Sequence, residues 1–382
     1  MEAIELLEIV SRGEDGKHQL KANFTNVDSL ASEMVAFSNS GGGQIFIGVN
    51  DDGTRSGLTS ADIDRLNQLI SNAASQSVRP PINPSTENIT LDDGIVMVVT
   101  ILDGISKPYM DNNGAVWVKS GADKRKVTSR EEIQRMFQVA GLIHGDEIPA
   151  NGLTISDLDI DYFRSFFQKA FGESLESQDL PLDKLLENMN LTKDGNLNIA
   201  GALLFAQRPQ FRLPVFIVKA VSYPGNDIHE TEYIDSQDFS GKLADVYQKT
   251  LGFIINNLRN VQGDRSVNTL GLPEIPKIAL EELLTNALIH RDYFISAPIR
   301  VFIFSDRVEI ISPGHLPNNL TVENIKTGNS NIRNPILASF ATKILPYRGL
   351  GNGVRRALKE YPDIDLLDDK ASNLFKVVIK RR

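Results

Sequence analysis

The sequence predicts an α+β protein built from more than one domain. Its 382 residues suffice for about two to three domains, each with its own core. The composition, 41% hydrophobic and 23% charged, is that of an ordinary globular chain. Apolar residues recur with helical spacing in some segments and form short strand-like runs in others, which favours mixed secondary structure.

Composition also excludes several classes of function. Because the chain has no cysteine, it has no disulfide, no zinc–thiolate site and no cysteine nucleophile. No apolar run approaches the roughly 18 residues needed to span a bilayer, and the acidic, amphipathic start MEAIELLEIVSRGED differs from a signal peptide. We therefore expect a cytoplasmic protein with no membrane contact. The net charge of −9 means that nucleic-acid binding would require a local basic patch.

The first 145 residues are predicted to form one compact α+β domain. A helix is expected over 28–39 and is ended by Gly41–Gly43, after which QIFIGV (44–49) forms a short apolar strand. Thr59 and Asp62 have the spacing of a capping box before the next helix. Two further strands, IVMVVTIL and AVWVKS, precede a last helix.

The rest of the chain is predicted to divide in two. The polar segment HGDEIPANG, from His144, resembles a linker and leads into an intermediate α+β segment over 146–260. The final segment, 261–382, contains a helix that begins near Pro276, a hairpin that begins at Arg300, and a last strand, LFKVVIK.

A polar stripe runs along the helix that follows Pro276. Glu282, Asn286 and His290 are spaced at i, i+4 and i+8, so they share one face beside the apolar one. A carboxylate and an amide aligned in this way can activate a water molecule and hold a hard cation such as magnesium. The alternative is a solvated helix face, and the spacing taken alone favours that alternative.

Two glycine-containing segments follow this helix. Ser312–Gly314 comes directly after the second hairpin strand, and RGLGNGV places Gly349, Gly351 and Gly353 just before the helix VRRALKEY. Glycines at such a position allow backbone N–H groups and a helix N-terminus to approach phosphates closely.

In chain order, EELLTNALIHRDY, IISPGHLP, NIRNPIL and GLGNGV resemble the divergent ATPase domain of bacterial RecG-like and transcriptional-regulator proteins. That domain belongs to the Bergerat, or GHKL-like, superfamily of gyrase and the histidine kinases. The resemblance covers most of the chain from Pro276 to its end. It implies an α/β sandwich that binds ATP with magnesium.

The resemblance also assigns residues. It places Glu282 at the general-base position, Asn286 at the magnesium position, Gly314 in the first glycine box, and Gly349, Gly351 and Gly353 in the phosphate-side box. Ser312 stands where the superfamily has an aspartate that accepts a hydrogen bond from adenine. Loss of a charged partner typically costs ~1.5–3 kcal/mol, or about tenfold to a hundredfold in affinity. Weak ATP binding, altered base choice and a purely structural domain all remain open.

Two polar runs complete the signature of this ATPase domain. They are His290–Asp292, which includes Arg291, and the pair Arg333 and Asn334. We expect them either to contact the nucleotide or to form a buried polar network that fixes the helix end.

The N-terminal region resembles the Schlafen-type AlbA domain, from EDGKHQLKAN through AFSNSGGGQIFIGVNDDG, and the resemblance extends through KPYM and VWVKSGADKRK to about Phe137. It implies DNA or RNA binding, and in some Schlafen proteins three carboxylates cut RNA with a divalent metal. Glu14 and Asp51 match the first and third carboxylates, whereas Gln19 stands at the second. Because an amide carries no charge, we expect a degenerate nuclease site. Asp51 is also consistent with an ordinary turn after a strand.

Basic residues cluster once in this domain and are candidates for nucleic-acid contact. They are Lys119, Lys124, Arg125 and Lys126, with Arg130 nearby and Lys21 as a second phosphate contact. The alternative is a solvated loop, with the neighbouring Trp117 in the core.

Together these features predict an ATP- and nucleic-acid-binding regulator, of the transcription-regulator type, whose homo-oligomeric assembly (at least a dimer) responds to nucleotide. The alternatives are a Schlafen-like metal-dependent ribonuclease and an ATPase or assembly module of a defence system. Weak ATP hydrolysis is left open by the sequence.

Overall fold

The computed structural model describes residues 1–92, 94–228, 231–262, 271–317 and 320–381, except for the side chain of residue 139. The chain divides into two compact units, Met1–Leu142 (unit 1) and Ile143–Arg382 (unit 2). Both units mix helices with sheets, so the predicted α+β class is confirmed. Across the described parts of the chain, no helix has both the length and the apolar character needed to cross a membrane.

Unit 1 contains four helices and eight strands among its described residues. The helices are α1 (Ala3–Arg12), α2 (Val27–Asn39), α3 (Ser60–Asn72) and α4 (Arg130–Val139). The strands are β1 (His18–Lys21), β2 (Gly43–Ile47), β3 (Val78–Arg79), β4 (Ser85–Leu91), β5 (Gly94–Ile101), β6 (Met110–Asp111), β7 (Trp117–Ser120) and β8 (Asp123–Lys126).

The main sheet of unit 1 has the strand order β1-β2-β5-β4. Strands β1 and β2 are parallel, and the other pairs are antiparallel. Helix α2 is buried along most of its length, including Leu30, Met34 and Phe37, the apolar face expected from the sequence. Asn26 caps this helix by accepting a hydrogen bond from the backbone N–H of Asp28 at 2.7 Å.

Local sequence signals fix the ends of two more helices in unit 1. Thr59 and Asp62 form the predicted capping box at the start of α3, each side chain bonding to the backbone of the other. Ser129 accepts a hydrogen bond from the backbone N–H of Glu132 at the start of α4. The predicted strands IVMVVTIL and AVWVKS are confirmed as β5 and β7, and β7 pairs with β8 in an antiparallel hairpin.

Unit 2 contains eight helices and eleven strands within the described ranges. The helices are α5 (Ile160–Phe171), α6 (Leu182–Asn188), α7 (Ile199–Phe205), α8 (Leu243–Asn256), α9 (Lys277–His290), α10 (Val322–Thr327), α11 (Pro335–Ile344) and α12 (Gly353–Glu360). The strands are β9 (Pro149–Thr154), β10 (Thr192–Lys193), β11 (Asn196–Asn198), β12 (Val218–Ser222), β13 (Asp235–Phe239), β14 (Asn260–Val261), β15 (Leu272–Pro273), β16 (Ile299–Ile303), β17 (Arg307–Pro313), β18 (Ile364–Asp369) and β19 (Leu374–Lys380).

A six-stranded sheet organises unit 2, in the order β13-β12-β16-β17-β19-β18. Its one parallel pair among the described strands joins β12 to β16. Strands β12 and β13 lie within 146–260, the segment that the sequence treats as intermediate. They extend the same sheet as the predicted hairpin β16–β17 and the last strand β19, so 143–382 form one compact unit.

Helices cover one face of this sheet and place α9 in the core. Leu280, Leu283 and Leu284 of α9 are buried in the main apolar cluster with inward-facing residues of the sheet such as Val301 and Ile310. Helix α9 also packs against α8 and α12. Pro276 is the N-cap residue rather than the first helical residue that the sequence predicts. The side of α9 that carries Glu282, Leu283 and Asn286 lines a cleft.

Candidate functional site

A concave cleft lies in unit 2 and encloses about 1040 Å³ of space, part of it open to solvent. Its lining comes from α9, the ends of β17 to β19, the loop before α11, and the glycine segment before α12. The walls are mainly apolar and include Ile310, Leu316, Leu366, Phe375 and Val377. Apolar walls with a few polar groups are typical of a site for a small organic ligand.

The polar stripe of α9 lines this cleft. Glu282, Asn286 and His290 are all among the lining residues, and Glu282 is only 7% exposed. The alternative of a solvated helix face is therefore wrong. The helix instead presents a carboxylate, an amide and an imidazole along one wall.

Ser312, at the end of β17, lies on another wall of the cleft. Its hydroxyl donates a hydrogen bond to the backbone carbonyl of Ala287 in α9, at 3.2 Å. Because that carbonyl can only accept, the proton of the hydroxyl is committed to α9. The oxygen lone pairs are then available as acceptors.

The glycine segment before α12 packs tightly onto its neighbours. Gly351 has φ +71°, and a Cβ there would lie 2.6 Å from the carbonyl oxygen of Gly328. A Cβ at Gly353, the first residue of α12, would overlap Glu282 Oε2 and would lie 3.5 Å from Asn286 Nδ2. Glycine at these two positions is what permits the backbone to approach the polar stripe so closely. Gly349 and Gly314 also line the cleft.

This donor set fits a phosphate chain with a hard cation. Asn286 supplies an amide oxygen of the kind that binds magnesium. The start of α12 at Gly353 supplies backbone N–H groups and the positive end of a helix dipole. Gly353, Glu282 and Asn286 lie together at one end of the cleft.

Arg356 is a site residue that the sequence analysis missed. Its guanidinium forms an ion pair with the carboxylate of Glu282, and both side chains line the cleft. Burial raises the pKa of Glu282, while Arg356 and Arg348 oppose that rise. The place of Arg356 in the sequence could have identified it, because Arg356 is in the first turn of α12, where its side chain faces α9.

Four predicted nucleotide contacts are not among the residues that line the cleft. Arg291 donates hydrogen bonds to the carbonyls of Ile295 and Ala297, at 2.9 and 2.7 Å. Asn334 donates to the carbonyls of Ile289 and Arg291, both at 2.8 Å. Since these partners are backbone groups at the end of α9 and in the loop that follows it, Arg291 and Asn334 fit the alternative of a buried polar network.

Arg333 and Asp292 belong to the same network. Their charged groups lie 3.9 Å apart, and Arg333 also donates to the carbonyl of His315, which lines the cleft. A Cβ at Gly314 would overlap the Arg333 guanidinium. This pair therefore supports the cleft wall at Gly314 and His315 from behind.

His290 is held as a neutral imidazole. Burial and the nearby charge of Arg333 lower the pKa of His290 from 6.5 to about 4. Its Nε2 lies 3.3 Å from the hydroxyl of Tyr347, which also lines the cleft. A neutral ring at this position adds no charge to the cleft near pH 7.

In unit 1 the three predicted nuclease positions lie close together. Gln19 donates to the Glu14 carboxylate, and Lys21 lies 3.4 Å from both Glu14 and Asp51. Lys119 donates to Gln19 Oε1 at 2.6 Å. A lysine ammonium thus bridges the two remaining carboxylates. Within the described ranges, no three His, Asp or Glu side chains form a group suited to a metal ion.

The predicted basic strip is mostly engaged within the protein. Lys124 pairs with the buried Glu33 at 2.9 Å and lies over the ring of Trp117. Arg125 makes a two-point ion pair with Glu132, at 2.6 and 3.0 Å. Lys126 is exposed, and the described residues offer it no ion pair. The strip that the sequence predicts therefore reduces to its outer members, since Lys119 and Lys124 turn inward.

Comparison with known families agrees with both resemblances. Residues 14–128 match the family model described as "Schlafen, AlbA_2", and residues 296–374 match the one described as "Putative ATP-dependent DNA helicase recG C-terminal". The chain thus carries an AlbA_2-type domain followed by a recG C-terminal, ATPase-type domain. Glu282 and Asn286 precede the second matched range.

Two solved structures are similar to the chain at low sequence identity. The DIP2311 protein from Corynebacterium diphtheriae is 21% identical, with a TM-score of 0.47, and the match covers 99% of this chain and 80% of that one. The N-terminal domain of a RecG-related protein from Nitrosomonas europaea is 22% identical, with a TM-score of 0.25, covering 34% of this chain and 96% of that domain. No curated protein matches the chain.

The low pKa of His290 predicts a specific acid sensitivity. The unfolded chain binds a proton at His290 near pH 6.5, whereas the folded protein does so only near pH 4. The contribution of His290 to the free energy of unfolding is therefore fully present above pH 6.5. It falls as the pH drops from 6.5 towards 4, by at most about 3 kcal/mol. Urea unfolding of wild type and His290→Asn at several pH values should show a smaller acid loss in the variant. His18→Asn serves as the control variant. If wild type and His290→Asn lose equal stability as the pH falls, His290 is not the cause of the acid sensitivity.

Proposed function

We propose that the chain is a nucleotide-responsive regulator that binds ATP with magnesium in the cleft of unit 2 and nucleic acid through unit 1. One observation supports the proposal that ATP binds in the cleft. Residues from three separate segments converge on one cleft: Glu282, Asn286, Ser312, Gly314, Gly349, Gly351 and Gly353. The ATPase-type family match over 296–374 supports the same assignment.

The two ends of the cleft suit the two ends of a nucleotide. The apolar wall that includes Leu366 and Phe375 would hold the base, and the acceptor lone pairs of Ser312 would receive the adenine amino group. Gly351, Gly353 and the start of α12 would face the phosphates. Magnesium, held through Asn286, would supply positive charge against the phosphate oxygens.

Binding is better supported than turnover. Glu282 is the one carboxylate on the α9 wall, among the described lining residues, that could accept a proton from water. In this structure that carboxylate is engaged by Arg356. We therefore propose a nucleotide-binding cleft with at most weak ATP hydrolysis.

For unit 1 we propose nucleic-acid binding rather than metal-dependent cleavage. The Schlafen-type match over 14–128 supports a nucleic-acid-related role. The Lys21 ammonium between Glu14 and Asp51 already neutralises the carboxylates on which a metal site would depend. Within the predicted basic strip, Lys126 and Arg130 are exposed and are the members proposed to meet phosphates.

Regulation would follow from coupling these two activities. We propose that nucleotide changes the assembly of a homo-oligomer, at least a dimer, and thereby the spacing of its nucleic-acid-binding units. Control of transcription is the output that fits such a device. An ATPase or assembly module of a defence system uses the same cleft and is the second candidate.

The ATP assignment predicts a thermal shift. A ligand that binds the folded state alone at a hundred times its Kd stabilises by about 2.7 kcal/mol, roughly 5–10 °C for a unit of this size. Mg-ATP should therefore raise the Tm of wild type, and Asn286→Ala should abolish the shift. Asn256→Ala, an exposed position at the end of α8, is the matched control. The absence of any shift with millimolar ATP, ADP or GTP would rule the assignment out.

Ser312 provides a test of the base pocket. Ser312→Ala removes the acceptor, so ATP affinity should fall about twofold to tenfold, while Ser312→Thr should retain most of it. GTP carries a carbonyl where ATP carries the amino group, and its affinity should change less in Ser312→Ala. Isothermal titration of both nucleotides checks this. Equal losses for ATP and GTP would place Ser312 away from the base.

Nucleic-acid binding should depend on the outer basic residues. Lys126→Ala with Arg130→Ala should weaken binding to labelled single-stranded RNA or duplex DNA and flatten its salt dependence by about 0.7–0.9 per lost phosphate contact. Lys124→Ala is the control, because its ammonium is committed to Glu33. It should lower the Tm but leave the salt slope unchanged. An unchanged slope in the double variant would remove this strand from the interface.

A further inference from the structure

Arg356 and Glu282 join two elements that are far apart in sequence. Arg356 is on α12, whose first residue, Gly353, packs against the Glu282 carboxylate, and α12 packs along α9. The Glu282 side chain is 8% exposed and that of Arg356 is 30% exposed. The Nε of Arg356 is buried, and the described residues provide it no hydrogen-bond partner. The guanidinium is thus turned towards Glu282.

The charges around Glu282 make this pair necessary for a polyanion site. The groups whose charges act on Glu282 are Arg356, Arg348 and Glu281, and the hydroxyls of Tyr347 and Tyr247 lie within range of its field. Arg356 is the cation with the stronger effect and makes the direct contact. Without it, an unpaired buried carboxylate would face the end of the cleft where phosphates are proposed to bind. The negative charges of a carboxylate and of a phosphate repel each other strongly where water is excluded.

We propose that Arg356 is the positioning residue of the cleft: by neutralising Glu282 it docks the first turn of α12, and the glycine segment before it, onto α9. In this role Arg356 acts through Glu282 and does not itself need to contact the nucleotide. The inference rests on the proposed nucleotide-binding function and identifies the charge pair that makes the cleft receptive to a triphosphate.

A two-residue cycle tests this role. Arg356→Gln should weaken Mg-ATP binding about tenfold to a hundredfold, the usual effect of losing one charge-assisted contact. Adding Glu282→Gln removes the carboxylate that Arg356 neutralised, so the double variant should regain affinity to within about tenfold of wild type. Arg356→Lys, which keeps the charge, should lose less than Arg356→Gln. Arg355→Gln, at the exposed neighbouring position, should bind as wild type does.

Failure to regain affinity in the double variant would overturn the proposal, because a guanidinium that contacts phosphate directly cannot be replaced by removing Glu282. The Tm of each variant without nucleotide separates this from failure of the proposed function. Arg356→Gln should lower the Tm by several degrees, and the double variant should recover part of that loss. If wild type does not bind ATP, the proposed function fails, and the Tm cycle alone decides whether Arg356 positions α12. A double variant with no recovery in Tm would then contradict the inference.

Discussion

The cleft of unit 2 is built around a buried carboxylate. Glu282 is on a helix whose opposite face is packed with leucines into the core, so the chain cannot rotate it towards solvent without exposing that core. An ionised group in such a place needs a partner. The fold supplies Arg356 from α12, and that contact fixes where the glycine segment comes to rest. The position of the glycine segment therefore follows from an electrostatic requirement of α9.

A second buried polar network fixes the other side of the cleft. Asp146, at the beginning of unit 2, accepts a hydrogen bond from the backbone N–H of Leu337 at 2.9 Å in the first turn of α11. Burial raises the pKa of Asp146 to about 6. Asn334, immediately before α11, ties that turn to the end of α9. The residues of the ATPase signature that do not line the cleft thus determine the relative positions of the two helices that support it.

Local patterns were sufficient to predict several of the elements and part of the site. Helix α2, the capping box at Thr59, the hairpin β16–β17 and the polar stripe of α9 all depend on spacing within one segment. Ser312 and the three glycines before α12 could be placed with Glu282 only through resemblance to a family. The contact between Ser312 and the carbonyl of Ala287 needed the structure, because it depends on how β17 crosses α9.

Sequence reasoning failed where the partner of a charged residue lies far away in the chain. Lys119 and Lys124 follow one another closely and suggest a basic surface, yet they turn inward to Gln19 and Glu33, about a hundred residues earlier. The role of Arg356 could not be predicted from local patterns, because its partner, Glu282, is 74 residues upstream in another helix. The extension of the sheet by β12 and β13 was missed for the same reason, since parallel pairing with β16 joins distant segments.

The lysines of unit 1 show how the same residue type serves opposite roles according to its neighbours. Lys21 lies between two carboxylates, which neutralise most of its charge within the protein. Lys126, at the end of β8, is exposed, and no acidic group is paired with it among the described residues. For a chain of net charge −9, attraction to a polyanion depends on the second kind alone. In the AlbA_2-type unit, the carboxylates of Glu14 and Asp51 therefore lie on either side of the ammonium group of Lys21.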